Sequence, residues 1–177
     1  MYKYLTLLLF SVAFTSQAQW NPNATSDSEV NADVSAAVEV FKTNPNLKPF
    51  FEQAHGFAVF PSIKKAGFGI GGATGNGQVF EKGNLIGNTR VTQLSLGLQL
   101  GAQAFKEIIF FKDTQALNRF TRGNFEFGAQ ASAVALTAGV AVEVEYSDGV
   151  AIFTETNGGL MYEASIGGQK FSFNAIK

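Results

Sequence analysis

The sequence predicts an α+β domain: a curved antiparallel sheet or partly closed β-barrel with two N-terminal helices and one short internal helix. Three observations favour this fold class. Apolar residues recur at helical spacing up to about residue 54. From Gly56 onward they alternate with small or polar residues at a period of two. Turn-forming glycine and asparagine residues then follow roughly every ten residues, a spacing typical of an antiparallel meander or barrel.

Residues 1–18 have the three parts of a secretory signal peptide. Lys3 supplies the positive charge, residues 5–14 are apolar, and Ser16-Gln17-Ala18 has the small-x-small pattern of a cleavage site. A polar, flexible lead-in is expected over residues 19–28, followed by a single domain over residues 29–177. The sequence contains no cysteine, so we expect an exported protein without disulfides or a lipoprotein anchor, in a Gram-negative periplasm.

Two helices are predicted before the sheet. The first runs from about Glu29 to Thr43, with a capping box formed by Ser26 and Glu29 and an end at Pro45. A shorter helix follows over residues 47–54, with its apolar side chains on one face. We expect both helices to cover the sheet. The first helix is acidic, whereas helices that lie on membranes usually carry lysine and arginine on the polar face.

The stretch that follows the helices combines a strand, a basic pair and many glycines. Residues 56–60 predict a short buried strand that ends at Pro61, which has no N–H to donate to a neighbouring strand. Lys64 and Lys65 are then expected on a connector, and Gly75-Asn76-Gly77 in a turn.

Glycines 67, 69 and 71 leave one face of the next predicted strand without side chains. We expect Gly69 and Gly71 to be structural, because backbone or a lipid chain lies against such a face. A G-x-G-x-x-G match at Gly67, Gly69 and Gly72 leads into a turn rather than a helix, so a dinucleotide site is rejected.

Later elements follow the same logic. Alternation over residues 94–102 predicts a strand with one apolar face, and residues 108–111 are continuously apolar, as in a strand buried on both faces. The internal helix is predicted over residues 114–122, with Asp113 as its N-cap and Gly123 at its end.

Several function classes are disfavoured by composition. The formal net charge of −1 argues against a nucleic-acid partner. His55 is the only histidine, which leaves a metal site poorly supported, and no serine has a base partner that the sequence identifies. No segment predicts a membrane-spanning helix. We therefore expect a protein that is not an enzyme and has no cofactor.

Three long blocks of this sequence resemble the SYLF-domain family. They are GFAVFPSIKKAGFGIGGATGNG, FKEIIFFKDTQALNRFTRGNFEFGAQASAVALTAG and YSDGVAIFTETNGGLMYEASIGGQKFSF. The exported bacterial members are described as lipid-binding, and eukaryotic relatives are associated with phosphoinositides and, in fungi, actin through a basic N-terminal helix. Because the first helix is acidic here, the resemblance implies only the general lipid-binding role.

We therefore expect a non-catalytic protein that binds lipid or a membrane surface in the bacterial envelope, with anionic phospholipid as its partner. The candidate contacts are Lys64, Lys65, Phe57, Phe68, Arg119 and Arg122. The main alternative is a structural or partner-binding periplasmic protein without a lipid ligand. A second alternative, an outer-membrane barrel, is disfavoured by the helical N-terminal third and the internal helix.

Overall fold

The computed structural model describes residues 31–68, 70–96, 103–123, 125–126, 133–135, 145–156, 159–163 and 168–176. The predicted signal peptide, the lead-in and the Ser26–Glu29 capping box lie outside these residues. So do Gly69 and most of the strand predicted over residues 94–102.

The described chain is mostly β-structure with some helix. The helices are α1 (Ala32–Lys42), α2 (Lys48–Gln53), which follows a 3₁₀ turn at Pro45–Leu47, and α3 (Thr114–Thr121). The strands are β1 (Gly56–Phe68), β2 (Ile70–Glu81), β3 (Asn84–Leu96), β4 (Gln103–Phe111), β5 (Phe125–Glu126), β6 (Ala133–Ala135), β7 (Val150–Thr156), β8 (Gly159–Glu163) and β9 (Gln169–Ala175). Within these ranges, no helix is long and apolar enough to cross a membrane.

All nine of these strands belong to one antiparallel sheet. Its spatial order is β5, β9, β3, β2, β1, β4, β7, β8, β6. The edge strands β5 and β6 do not pair with each other in the described ranges, so the sheet is open. The antiparallel sheet and the three predicted helices are present, but the barrel is not closed.

Local sequence explains the helix ends. The side chain of Asn31 caps α1 by accepting a hydrogen bond from the Asp33 N–H at 2.7 Å, so the helix begins after the expected Glu29. Asp113 caps α3 in the predicted way, since its carboxylate accepts from the Ala116 N–H at 2.8 Å. Gly123 follows the end of α3 with a φ of +77°, a conformation that glycine adopts without strain.

The turn predicted at Gly75-Asn76-Gly77 is wrong, because these residues lie inside β2. The turn that joins β2 to β3 lies at Lys82-Gly83, where both residues have positive φ, 48° and 82°. A two-residue hairpin with this backbone matches the twist of the strands that it joins, β2 and β3.

One face of the sheet curls around an inner core. Phe171 of β9 packs on Phe60 of β1, with ring centroids 5.7 Å apart, although β3 and β2 separate these strands in the sheet. Glu107 of β4 is fully buried on the same side, and the Gln169 amide of β9 donates to its carboxylate at 3.1 Å. These contacts bring non-neighbouring strands together, as a strongly curved sheet requires. Helix α3 packs its buried residues into the same core.

The opposite face of the sheet carries a second, outer core beneath α1 and α2. Phe41 and Phe50 of the helices pack there against residues of the sheet that include Phe110 and Phe153. Along β4, Ile108 and Phe110 belong to the outer core, whereas Ile109 and Phe111 belong to the inner core. The prediction of a strand buried on both faces over residues 108–111 is therefore confirmed.

Candidate functional site

Lys64 and Lys65 do not lie on a connector, so that prediction is wrong. Strand β1 continues through Pro61 to Phe68, and both lysines pair with β2 on one side and β4 on the other. The register of β1 against its neighbours shifts between Val59 and Lys64, which marks a bulge or irregularity around the proline. A bulge is the place where a strand tolerates a residue without an N–H donor.

The two lysines point to opposite faces of the sheet. Ile63 belongs to the inner core, so the alternation of side chains places Lys64 on the outer face, where it is exposed. Lys65 returns to the inner side, and its ammonium lies 4.8 Å from the centroid of the Phe105 ring. This cation–π contact partly buries Lys65. One flat membrane surface therefore cannot contact both ammonium groups.

The predicted phenylalanine contacts differ in position. Phe57 is half-buried at the margin of the outer core, stacked on Phe80 at 5.0 Å and edge-on to Phe51 at 5.7 Å. Phe68 ends β1, where its backbone pairs with Ile70, and its side chain lies outside what the structure describes. Only Phe57 can thus be assigned a surface, which it shares with α2.

The two arginines of the α3 region are also unlike each other. Arg119 is held by the turn before β7: one guanidinium nitrogen donates to the Asp148 carboxylate at 2.8 Å, and another donates to the Asp148 carbonyl. Arg122 is the exposed C-cap residue of α3. The structure thus gives Arg119 a structural contact, and it does not bring either arginine together with Lys64.

A polar, cationic surface that the sequence analysis missed lies on the outer face of the sheet. In the register, Lys64 of β1 is followed across the sheet by Thr74, Thr92 and then Lys170 of β9. A second row contains Asn76, Arg90 and Ser172. All seven side chains are exposed, and we call this surface the basic face.

Strand alternation creates the basic face. All of its residues except Asn76 are next in sequence to an inner-core residue, as Thr74 is to Ala73, so the polar side chain points away from the core. Asn76 follows Thr74 by two residues in β2 and therefore shares its face. Three strand spacings of roughly 4.8 Å separate Lys64 from Lys170, or about 14 Å. The sequence contained the alternation, but only the register shows that Lys64 and Arg90 share one surface.

The borders of the basic face are partly acidic. Glu126 of β5 lies opposite Lys170 in the register, at the edge of the sheet. On the other side, Lys106 of β4 forms an ion pair with Glu155 at 3.5 Å. Lys170 has a further interaction of its own. Lys64 and Arg90 are thus the most available cations at its centre.

A second surface feature is an open groove at the other end of the same outer face. It lies between α1, α2 and the β2–β3 hairpin and has a volume of about 660 Å³. We call it the aromatic groove. Its apolar floor contains Val38, Phe51, Ala54, Phe57 and Phe80, and its rim contains Ser35, Glu39, Lys42, Glu52 and Lys82.

His55 is the one histidine of the chain, and its contacts do not form a catalytic relay. Its Nε2 lies 2.7 Å from the Glu81 carboxylate and 3.2 Å from the Thr114 hydroxyl. A relay needs the acid and the hydroxyl on different ring nitrogens, whereas both groups share one nitrogen here. The cluster instead ties the start of β1 to the end of β2 and the start of α3. Among the described residues, no group of acidic or histidine side chains could hold a metal ion.

Comparison with known proteins gives two findings. Residues 92–175 match the family model Ysc84, described as "Las17-binding protein actin regulator". The chain is also 27% identical over 139 residues to "Beta cell expansion factor A" of Aeromonas veronii.

That alignment covers 77% of this chain and 52% of the relative, so the chain spans about half the length of the curated relative that it matches. The matched family segment includes Lys170 and α3, whereas Lys64 and the aromatic groove precede it. The match to the Ysc84 (SYLF) family model over residues 92–175 confirms the resemblance predicted from the sequence blocks.

Proposed function

We propose that this protein is a non-catalytic lipid-binding protein of the bacterial envelope that docks reversibly on anionic membranes through the basic face. The observation that carries the proposal is that Lys64 and Arg90 are both exposed on one surface of the sheet. The neighbouring hydroxyl and amide side chains can donate hydrogen bonds to phosphate oxygens. The inner and outer cores bury the apolar residues of the same strands, so this contact is mainly electrostatic.

The expected strength is modest. Each lysine or arginine near an anionic surface contributes about 1 kcal/mol, so Lys64 and Arg90 together contribute about 2 kcal/mol, or roughly a thirtyfold increase in membrane partition. An attraction of this kind is screened by salt. The proposed binding is therefore reversible and weakens as ionic strength rises.

Vesicle co-sedimentation tests the proposal. We expect the parent protein to pellet with phosphatidylglycerol–phosphatidylcholine vesicles at low salt, and not with pure phosphatidylcholine. Lys64→Gln combined with Arg90→Gln should reduce the partition about thirtyfold. The matched control is Lys48→Gln with Lys112→Gln, which removes two exposed charges elsewhere and should pellet like the parent.

Lys65→Gln separates this proposal from a contact made by both neighbouring lysines. Because the Lys65 ammonium lies on the inner side over Phe105, its removal should leave vesicle binding unchanged. Equal pelleting of the Lys64/Arg90 double variant and the control would contradict the basic face as the contact.

A polypeptide partner is the second candidate, favoured by the family description, which names a protein-binding activity. If the parent protein pellets with no vesicle at low salt, the lipid proposal is wrong. Cross-linking through a cysteine introduced at Thr92, in the middle of the basic face, would then identify the polypeptide that covers it.

A further inference from the structure

We propose that the aromatic groove binds the hydrocarbon chain of a single-chain anionic lipid, such as a fatty acid, with the carboxylate at Lys82. This proposal goes beyond membrane docking, because it concerns a monomeric ligand at a second site. The groove volume of about 660 Å³ falls within the range of roughly 300–1,000 Å³ that is typical of small-molecule sites.

The floor of the groove is suited to hydrocarbon. Phe51 and Phe57 are only partly buried, although they pack edge to face and border the outer core. Phe80, which is itself buried, stacks on Phe57 and supports the floor toward the β2–β3 hairpin. A bound hydrocarbon chain would cover the parts of the Phe51 and Phe57 rings that are exposed to water. Removing this apolar surface from water favours binding.

The backbone of the floor argues against an extended peptide as the occupant. At Phe57, β1 is hydrogen-bonded to β2 on one side and to β4 on the other. At Phe80, β2 lies between β1 and β3 in the same way. These strands have no free edge, so an extended peptide lying on them would bury amide groups without partners at a substantial cost. A hydrocarbon chain has no such groups.

The charges on the rim favour an anionic end group. Glu39 is paired with Lys42 at 2.9 Å, and Glu52 lies 3.9 Å from Lys48. Within the described ranges, no carboxylate lies at ion-pairing distance from Lys82, which is therefore the cation left over at the mouth.

The position of Lys82 is fixed by the hairpin. Its backbone N–H donates to the His55 carbonyl at 3.0 Å, and its φ of 48° belongs to the tight β2–β3 turn. The site thus has an apolar floor between α1, α2 and the β2–β3 hairpin. The Lys82 ammonium lies at its rim, on a backbone that the hairpin fixes.

Fluorescence titration with cis-parinaric acid, without vesicles, tests the proposal. We expect saturable binding that oleate displaces. Ser35→Trp places an indole from the exposed face of α1 into the groove and should weaken binding at least tenfold. Ser35→Ala is the matched control and should bind like the parent. Circular dichroism melting checks that both variants are folded.

Lys82→Asn tests the anionic end group, because asparagine tolerates the left-handed backbone of this turn while removing the charge. It should weaken oleate binding up to about fivefold, the effect of losing one exposed ion pair, and leave oleyl alcohol binding unchanged. Lys112→Asn is the control for total charge. Parent-like binding by Ser35→Trp, or no parinaric acid binding by the parent, would overturn the proposal.

The two proposals fail independently. Lys64→Gln with Arg90→Gln should reduce vesicle partition about thirtyfold but keep parinaric acid binding, whereas Ser35→Trp should weaken parinaric acid binding and keep vesicle docking. Loss of both activities in Ser35→Trp would contradict separate sites.

Discussion

Tyr146 shows how burial changes the chemistry of a single side chain. Its ring lies 5.4 Å from that of Phe50, against the outer core. The hydroxyl oxygen is buried and has no hydrogen-bond partner within the described part of the chain. Burial disfavours the phenolate and raises the pKa of Tyr146 from 10.0 to about 12.

This pKa predicts a loss of stability at alkaline pH. Below pH 10 the Tyr146 proton does not reduce the free energy of unfolding, because both the folded and the unfolded state keep it. As the pH rises from 10 toward 12, the unfolded chain releases the proton first, and the free energy of unfolding falls. Tyr146→Phe should remove this part of the pH dependence. At pH 7 it should leave stability equal or slightly higher, because a buried hydroxyl without a partner is lost.

Urea denaturation of the parent and of Tyr146→Phe from neutral to alkaline pH measures both effects. Other groups titrate in the same range, so the difference between the two proteins is the informative quantity. A constant difference up to pH 12 would contradict the assigned pKa.

At the scale of elements, the close contact between β1 and β2 depends on glycine. A Cβ on Gly75 would lie 2.7 Å from the Ser62 carbonyl oxygen, and one on Gly77 would lie 2.7 Å from Cδ1 of Phe60 and closer still to the Val59 carbonyl oxygen. Both contacts involve the region of β1 around Pro61, where its register shifts. A close approach of backbone to glycine thus occurs at Gly75 and Gly77, whereas the surroundings of Gly69 and Gly71 lie outside what the structure describes.

Gly77→Val should therefore destabilise the protein by about 1–3 kcal/mol through overpacking. Asn76→Val is the matched control: it places the same side chain on the exposed face of the same strand and should change stability by less than about 0.5 kcal/mol. Urea midpoints at neutral pH measure both variants. Equal urea midpoints for Gly77→Val and Asn76→Val would contradict this prediction, because they would show that β1 accommodates the added side chain without loss of stability.

How far the sequence predicts an element depends on where the determining contacts lie. The ends of α3 were predictable because Asp113 and Gly123 act on their own neighbours in sequence. The course of β1 was not, because Pro61 is accommodated by pairing with strands far away along the chain. For the same reason, the sequence predicted that Lys64 and Lys65 lie together on a connector. Both residues lie in a paired strand, where successive side chains point to opposite faces.

At the scale of the whole molecule, β9 connects distant parts of the inner core through its contacts with β1, β4 and α3. Phe171 is buried against Phe60 of β1 at 5.7 Å and against Phe120 of α3 at 5.2 Å. Gln169 reaches β4 through its hydrogen bond to Glu107. Two residues of β9 thus contact α3 and two strands, β1 and β4, that are not its neighbours in the sheet.

Phe171→Ala should cost about 3–5 kcal/mol, because it removes a buried aromatic ring and leaves a cavity. That cost is a large part of the roughly 5–15 kcal/mol typical of a whole protein. Ser172→Ala, the exposed neighbour on the same strand, should stay within about 0.5 kcal/mol of the parent. Thermal melting compares them. A small effect of Phe171→Ala would mean that the inner core closes without β9.

The spatial order of the strands also determines when the fold can be completed during synthesis. β1, β2, β3 and β4 are synthesised in succession and can pair early. The second neighbour of β3 is β9, which is synthesised much later: the Thr89 hydroxyl of β3 donates to the Ser172 carbonyl of β9, 83 residues further along the chain. Contacts of such long range are slow to form, since loop closure precedes the gain from packing. Until β9 leaves the ribosome, one edge of β3 and part of the inner core stay uncovered. We therefore expect the nascent chain to remain incompletely folded until β9 has been synthesised.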